Sequence, residues 1–406
     1  MKAFKTILVS LLTLALVSAA SAAATDIKIT GSTAYRAAAY SAIGHILKAG
    51  YTFGWVGKAG SSLNSSNEAI FHGFTSTGNI EVFIKTSFTG SVGGVAAIAG
   101  QLTIGAGGSA FGGGAFLADT NVLANGVIAN PTFDAAETAD ITLSDAFQAS
   151  APTQYQTPAL SGKIVGVVDF VWVKGVGAST SITNLTSTNA KLLLAGTLTE
   201  DKLFSGGKAT THVYAFGRDE DSGTRVAALA DSGYGVHVTV QQYQPTGNPI
   251  TSIALWPATT VDGIAYPVGD PGFSGGGALA AALLETNSVA NTEFIGYLGL
   301  NDASTVGTSH WVQFDGKPIT ALTVPDIHSA VENGQYTFWG YEHFLYRGST
   351  LSNPLAGSAL TVALQLEGQI LNHDANVSGV LISAMKFHRN SDGGIITTPG
   401  TPPNVP

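Results

Sequence analysis

The sequence predicts an α/β fold, because β-rich runs alternate with helical stretches along most of the chain. Three strand–turn–helix units show the pattern: Thr25–Thr30 before a helix from Tyr35 to Ala49, Ile80–Ile84 before a helix that begins near Ser91, and Thr211–Ala215 before Val226–Ala230. Such alternation favours mixed sheets, mainly parallel in pairing, with helices on both faces.

The remaining elements continue the alternation. Strands are predicted at Asp140–Ala146, Lys163–Lys174, His237–Gln242, Ile253–Pro257, Phe294–Leu300 and Tyr336–Tyr346. Helices are predicted at Asn189–Ala195, Ala278–Glu285 and Pro354–Leu371. Between them, Gly105–Gly114 is rich in glycine, but it lacks the lysine of a phosphate-cradling P-loop and the glycine spacing of a dinucleotide site. We therefore expect a flexible surface insertion over about 100–139.

The N-terminus predicts secretion. Lys2 and Lys5 precede a short apolar run, and small residues follow with cleavage sites after Ala22 or Ala24. The run is too short to span a bilayer comfortably, so residues 1–24 are interpreted as a Sec-type signal peptide and not as membrane insertion. The chain has no cysteine, which excludes disulfides, thiolate metal sites and a lipoprotein anchor. The mature protein is expected to be periplasmic or extracellular.

Charge narrows the range of partners. The formal net charge is −9 at pH 7 and becomes −11 without Lys2 and Lys5, and only 11% of residues are charged. An acidic surface argues against nucleic acid or anionic membrane as partners. It does not exclude a small anion, because one arginine and a few N–H donors act locally.

The stretch from Phe216 to Arg225 has the features of an anion site. It joins a strand to a helix, with Ser222 suited to cap the helix and Gly223 and Thr224 in its first turn. Free N–H groups and the positive end of the helix dipole favour an anion there. Arg218 can add a two-pronged, charge-assisted contact. An ordinary capped helix with solvated charges would show the same ten residues.

Three other strand ends carry small or hydroxyl-bearing residues. With the first stretch they make a set of four: Gly31–Tyr35, Gly90–Gly94, Ser144–Asp145 and Arg218–Thr224. Ligands of open α/β sheets lie outside the carboxyl ends of the strands. The four elements together therefore predict one shared anion site.

The order and spacing of these elements resemble the phosphate-binding protein of bacterial phosphate ABC importers, a family of the type 2 periplasmic-binding superfamily. The matching motifs are Gly31-Ser32-Thr33-Ala34-Tyr35, Gly90-Ser91-Val92-Gly93-Gly94-Val95, Asp140 to Ala146, and Arg218 to Thr224. The resemblance covers most of the chain. It implies two lobes joined by two crossover segments, with an oxyanion, most simply inorganic phosphate, bound between them for an ABC importer membrane complex.

The resemblance also implies roles for individual residues. In the family, the anion is bound by hydroxyl donors, backbone N–H donors, one cation and one acceptor. The resemblance places these roles on Thr33, Ala34, Tyr35, Ser91, Asp145, Arg218, Ser222, Gly223 and Thr224. Asp145 would accept a hydrogen bond from the proton that hydrogen phosphate carries and sulfate lacks. A carboxylate beside an anion without a hydrogen leaves both charges unpaired, so this residue would select between the two.

This chain departs from the family pattern at two positions and by a long insertion between Ser91 and Asp145 that could cover or remodel the cleft. Ala34 stands where the family usually has Ser or Thr, so that hydroxyl is lost unless Thr33 replaces it. Glu220 stands where the family has the aspartate that holds the arginine, and Asp219 or Asp221 could substitute.

The predicted organisation has residues 25–162 in lobe I, 163–320 in lobe II, a return to lobe I over 321–396, and a Pro-rich tail over 397–406. We expect a binding protein without catalytic residues, metal or cofactor. One alternative is an extracellular structural or adhesive protein that keeps the fold without a transport role. Another is a secreted hydrolase that uses Ser274, within a segment that half-resembles the nucleophile loop of trypsin-like proteases.

Overall fold

The computed structural model describes residues 23–58, 60–105, 111, 114–123, 125–318 and 322–397. The predicted signal peptide up to residue 22 and the Pro-rich tail beyond Thr397 lie outside the described residues. Among the described residues, no helix has the length and hydropathy that crossing a bilayer requires.

Strands and helices alternate along the chain as the sequence predicts. The strands are β1 Thr25–Gly31, β2 Thr52–Trp55, β3 Glu68–Phe74, β4 Glu81–Ser87, β5 Thr103–Ile104, β6 Gly126–Val127, β7 Glu137–Thr138, β8 Ile141–Ser144, β9 Ser161–Lys174, β10 Asn184–Leu185, β11 Leu198–Thr199, β12 His212–Phe216, β13 Tyr243–Thr246, β14 Ser252–Leu255, β15 Thr259–Val261, β16 Ile264–Tyr266, β17 Thr292–Gly299, β18 Trp311–Phe314 and β19 Trp339–Tyr346. The helices are α1 Arg36–Ile46, α2 Ser91–Ala99, α3 Ser187–Ala195, α4 Glu200–Leu203, α5 Gly223–Asp231, α6 Gly276–Leu284, α7 Leu300–Val306, α8 Val324–Glu332 and α9 Gly357–Asn372. A 3₁₀ turn over Thr33–Tyr35 precedes α1.

The main sheet has two halves joined by two long strands. The first half-sheet runs β6-β2-β3-β4-β1-β8 and the second half-sheet runs β17-β12-β11, with β19 and β9 between them. One end of β9 pairs with β19 beside β8, and its other end pairs with β17 and β18. The fold class, mixed α/β with two crossing strands, is therefore confirmed. The division into lobes at 162/163 and 320/321 stays a prediction.

The pairing is more antiparallel than the sequence predicts. β9, β19 and β17 pair antiparallel to one another or to their neighbours, and so do β2, β3 and β4. Parallel pairs remain where the polar turns follow: β1 with β4 and β8, and β12 with β17. The hairpins and long return strands that create the antiparallel pairs leave no mark in a strand–helix alternation, which is why the sequence did not reveal them.

The predicted strand His237–Gln242 is wrong. Its backbone N–H groups go to loop acceptors: that of Val240 donates to the Asp270 carboxylate at 3.0 Å, and that of Gln242 donates to the Gly269 carbonyl at 2.8 Å. The strand begins instead at Tyr243 and forms a hairpin with β14. Alternating apolar residues alone do not show which acceptors the backbone finds.

The insertion over 100–139 is tied to the first half-sheet rather than loose on its surface. Phe111, Phe116 and Leu117 are buried. Lys85 on β4 is buried as well, and its ammonium group contacts the carboxylates of Asp119 at 2.7 Å and Asp134 at 2.6 Å. Part of Gly105–Gly114 lies outside the described residues. Where the insertion is described, apolar burial and these ion pairs hold it against β4.

Candidate functional site

Five strand ends meet where the two half-sheets adjoin. In the first half-sheet, β4, β1 and β8 are parallel, with Thr30 opposite both Ser87 and Thr142. In the second half-sheet, β12 is parallel to β17 but runs in the opposite direction, because β17 is antiparallel to β9 and β9 has the direction of β8. The carboxyl ends of the two sets therefore face each other across the middle of β9, and the polar turns after them share one region.

The turns after β4 and β8 bring Ser91 and Asp145 into contact. The Ser91 hydroxyl donates to the Asp145 carboxylate, and the Asp145 backbone N–H donates to the Ser91 hydroxyl oxygen at 3.1 Å. Burial raises the pKa of Asp145, and the Ser91 hydroxyl, the Arg218 charge and the Thr224 hydroxyl oppose that rise. The carboxylate is thus an acceptor surrounded by donors.

The turn after β12 starts helix α5 as predicted. The Ser222 hydroxyl oxygen accepts the Arg225 backbone N–H at 3.2 Å and caps the helix. No described acceptor takes the backbone N–H of Gly223 or Thr224. Two first-turn donors, the hydroxyl proton of Ser222 and the helix dipole therefore point at the same region.

Backbone carbonyls hold the Arg218 guanidinium. It donates to the carbonyl oxygens of Phe273 at 3.0 Å and Ser274 at 3.2 Å. The Arg218 backbone N–H donates to the Tyr297 hydroxyl oxygen at 3.1 Å. Asp219 is half-buried nearby, and desolvation raises its pKa to about 7 against the opposing Arg218 charge. The loop before α6 thus provides acceptors for the guanidinium, and the replacement of the family's aspartate by Asp219 or Asp221 stays a prediction.

The two half-sheets touch each other through these turns. The Val92 N–H at the start of α2 donates to the Asp221 carbonyl at 2.9 Å. A Cβ on Gly90 would lie 2.2 Å from that same carbonyl oxygen, and one on Gly223 would lie 1.6 Å from the Asp145 carboxylate. The side chains of the predicted site are 1–3% exposed: Ser91, Asp145, Arg218, Ser222 and Thr224. These residues are therefore enclosed between the two half-sheets, in the contact region that is called the cleft below.

Replacing Gly223 by alanine is expected to weaken anion binding roughly 10- to 100-fold, because the added methyl group prevents this close approach at a cost of about 1–3 kcal/mol. Gly275 supplies the matched control. It also precedes a helix, and a Cβ there meets nothing within 4 Å. Calorimetry should show a loss for Gly223→Ala and none for Gly275→Ala; equal affinities would mean that the halves need not approach at Gly223.

The first loop, Gly31–Tyr35, lies at the site, and its backbone N–H and side-chain groups make contacts within the protein. The Tyr35 N–H donates within its own turn to the Ser32 carbonyl at 3.4 Å, and the Tyr35 ring is buried in the core. The Ala34 methyl lies 3.4 Å from the position of a Cβ on Gly299, so it faces the second half-sheet. Thr33 is buried beside it. The methyl that replaces a hydroxyl at Ala34 thus packs across the cleft.

Sequence reasoning missed two acidic residues near the cleft. Asp302 on α7 feels the positive charges of Arg36 and Arg218, while burial raises its pKa. Glu342 lies in the middle of β19 and is buried completely. A polar run after β17 could have indicated Asp302, and an acid within an aromatic strand could have indicated Glu342.

Within the part of the chain that the structure describes, no group of three or more His, Asp or Glu side chains could hold a metal ion. Ser274 is exposed, and its carbonyl oxygen accepts from Arg218. The groups that meet at the cleft are hydroxyls, N–H groups, one guanidinium and the Asp145 carboxylate.

Solved structures with a similar chain path are phosphate-binding proteins by description. An ABC-type phosphate transport receptor from Vibrio cholerae is 11% identical, with 88% of this chain and 99% of that chain covered and a TM-score of 0.45. A high-affinity periplasmic phosphate-binding protein solved with phosphate is 13% identical over 89% and 88% of the two chains, with a TM-score of 0.43. Phosphate-binding protein from Stenotrophomonas maltophilia is 15% identical over 86% and 84%, with a TM-score of 0.40.

No protein-family model matches the sequence, and no curated protein sequence matches it. The likeness to the solved structures is remote. The chemistry of the cleft is therefore decided by this chain's own residues.

Proposed function

We propose that this protein is a secreted, non-catalytic binding protein that captures an oxyanion, inorganic phosphate, between its two half-sheets and delivers it to an ABC importer. The observation that carries the proposal is the convergence of Ser91 and Asp145 from one half with Arg218 and Ser222–Thr224 from the other. These groups are far apart along the chain, and a shared anionic ligand accounts for hydroxyls, a guanidinium and a helix start at one buried point.

The donor set suits a tetrahedral anion. Hydroxyls of Ser91, Ser222 and Thr224, first-turn N–H groups of α5 and the Arg218 guanidinium can together donate to all the oxygens of such an anion. Asp145 is the single acceptor among them. A bound anion that carries a hydrogen satisfies this acceptor, whereas one without a hydrogen faces a buried negative charge. The proposed selectivity is for hydrogen phosphate over sulfate.

Calorimetry of the mature protein against phosphate and sulfate at pH 7 tests the proposal. We expect phosphate to bind with micromolar or tighter affinity, which corresponds to about −8 kcal/mol or more favourable, and sulfate to bind far more weakly. Absence of phosphate binding in protein that has been unfolded, dialysed and refolded to remove prior ligand would overturn the proposal and favour a structural role for the fold.

Lowering the pH is expected to strengthen sulfate binding. Burial raises the pKa of Asp145, so its carboxyl group takes up a proton as pH falls from 7, and the neutral acid then donates to sulfate instead of repelling it. Coupling to one proton gives at most about a tenfold gain in sulfate affinity per pH unit. Titrations between pH 7 and 4.5 should show this slope in the parent and not in Asp145→Asn. A sulfate affinity that does not change with pH would contradict the assigned role of Asp145.

A further inference from the structure

Glu342 is a buried carboxyl group that the proposed site does not yet use. It lies within β19, is 0% exposed, and neither carboxyl oxygen has a hydrogen-bond partner. Buried carboxyl groups without partners are costly, so a position such as this calls for a specific role.

Two more unpartnered polar atoms lie on the same side of the sheet. Glu342 is opposite Gly166 of β9, and paired residues of antiparallel strands project to the same face. A Cβ on Gly166 would lie 2.1 Å from the Tyr35 hydroxyl, so the glycine leaves room for the phenol beside Glu342. The hydroxyls of Tyr35 and Ser32 are, like the Glu342 oxygens, buried without a partner.

The surroundings keep Glu342 as the neutral acid. Burial raises its pKa well above the ordinary value, the negative charge of Asp145 raises it further, and the Ser32 hydroxyl opposes the rise. The other titratable groups near this cluster are Tyr35 and, around Tyr35, Asp169 and Asp374. No cation is among them to favour the charged form. A neutral acid has one proton to donate.

Ser32 connects this acid to the anion loops. Its backbone N–H donates to the Leu143 carbonyl at 2.7 Å, two residues before Asp145. The preceding residue, Gly31, accepts the Gly90 N–H at 2.9 Å, next to Ser91. The backbone of Ser32 therefore adjoins the turns that carry Ser91 and Asp145, while its hydroxyl interacts with the Glu342 carboxyl group.

We propose that Glu342 is a positioning residue of the anion site: its carboxylic acid donates to the Ser32 hydroxyl oxygen, which orients the Ser32 proton toward the bound anion. Ser32 thereby supplies the first-loop hydroxyl that Ala34 lacks. The inference rests on the proposed function and adds an acid that is never an anion ligand itself, in contrast to Asp145.

Phosphate calorimetry on four variants tests the inference. Ser32→Ala and Glu342→Leu should each weaken phosphate binding about tenfold or more, because each removes the oriented donor to a charged ligand. The phosphate affinity of the double variant should be at most about twofold below that of the single variant that binds less tightly. The reason is that both changes remove the same oriented hydroxyl donor. Glu342→Gln should stay within about threefold of the parent, because its amide N–H₂ group donates to Ser32 as the acid does.

A merely structural role for Glu342 predicts a different result. In that case the losses of phosphate affinity in Ser32→Ala and Glu342→Leu would multiply in the double variant, or Glu342→Leu would bind like the parent. Either outcome overturns the inference.

Thermal unfolding of each variant is measured alongside the titrations. If Glu342→Leu does not fold, Glu342→Asp is used in its place. The aspartate keeps a carboxyl group but is shorter by one methylene, so it does not reach Ser32. Its phosphate affinity should fall by as much as that of Ser32→Ala. A parent protein that does not bind phosphate overturns the proposed function and this inference together, whereas a binding parent with unaffected variants overturns this inference alone.

Discussion

Replacing Asp145 by asparagine is expected to raise sulfate affinity about 100-fold while phosphate affinity falls by about tenfold or less, so that most of the selectivity is lost. The substitution removes the buried negative charge that opposes sulfate and supplies an amide that can donate to it. Phosphate keeps its other donors and loses one good acceptor for its hydrogen. Calorimetric titration of both anions at pH 7 measures the ratio directly.

Asp140 provides the matched control for this change. It immediately precedes β8, the strand that ends before Asp145, and it is buried in an ion pair with Arg347. Asp140→Asn removes the same charge at the opposite end of β8, away from the cleft, so it should lower stability and leave the phosphate-to-sulfate ratio unchanged. A selectivity change in Asp140→Asn equal to that in Asp145→Asn would show that net charge, and not contact, sets the ratio.

Replacing Arg218 by alanine is expected to weaken phosphate and sulfate alike by roughly 30- to 3000-fold, because loss of a buried charged partner costs about 2–5 kcal/mol. The guanidinium charge acts on any anion, whether or not it carries a hydrogen. The effect therefore differs in kind from that of Asp145→Asn, which changes the ratio. The carbonyl groups of Phe273 and Ser274 also lose their hydrogen bonds from the guanidinium, so thermal unfolding must accompany the titrations.

A lysine at the same position separates charge from geometry. Arg218→Lys keeps the charge but loses the planar fork, and we expect about a tenfold loss of affinity for both anions. Arg347→Lys is its control, since Arg347 is a buried arginine that pairs with Asp140 away from the cleft. If Arg218→Lys and Arg347→Lys both bind like the parent, the guanidinium does not contact the ligand.

The parts of the site that depend on local chain geometry were predictable from sequence. Ser222 caps α5 and Asp145 ends a buried strand, because a capping residue and a strand-terminal acid act on atoms a few residues away. Parallel strands then bring such turns to one edge within each half-sheet. That the two edges face each other depends on the antiparallel pairing of β9 with β17 and β19, which the four short motifs do not encode.

The parts that depend on packing between distant segments were not predictable. The acceptors of Arg218 are backbone carbonyls more than fifty residues away, and a carbonyl has no sequence signature. The contact of α2 with the Asp221 carbonyl likewise involves backbone atoms alone. Glu342 appears in the sequence as one acid in an aromatic strand, and only the register with Gly166 places it beside Tyr35.

A crystal structure with arsenate measures the central claim most directly, because arsenate shares the charge, shape and hydrogen of phosphate and scatters anomalously. We predict one anomalous peak between the side chains of Ser91, Asp145 and Thr224, within hydrogen-bond distance of their oxygens and of the Arg218 guanidinium. An arsenic peak elsewhere, with these four side chains still bonded only to protein, would contradict the account.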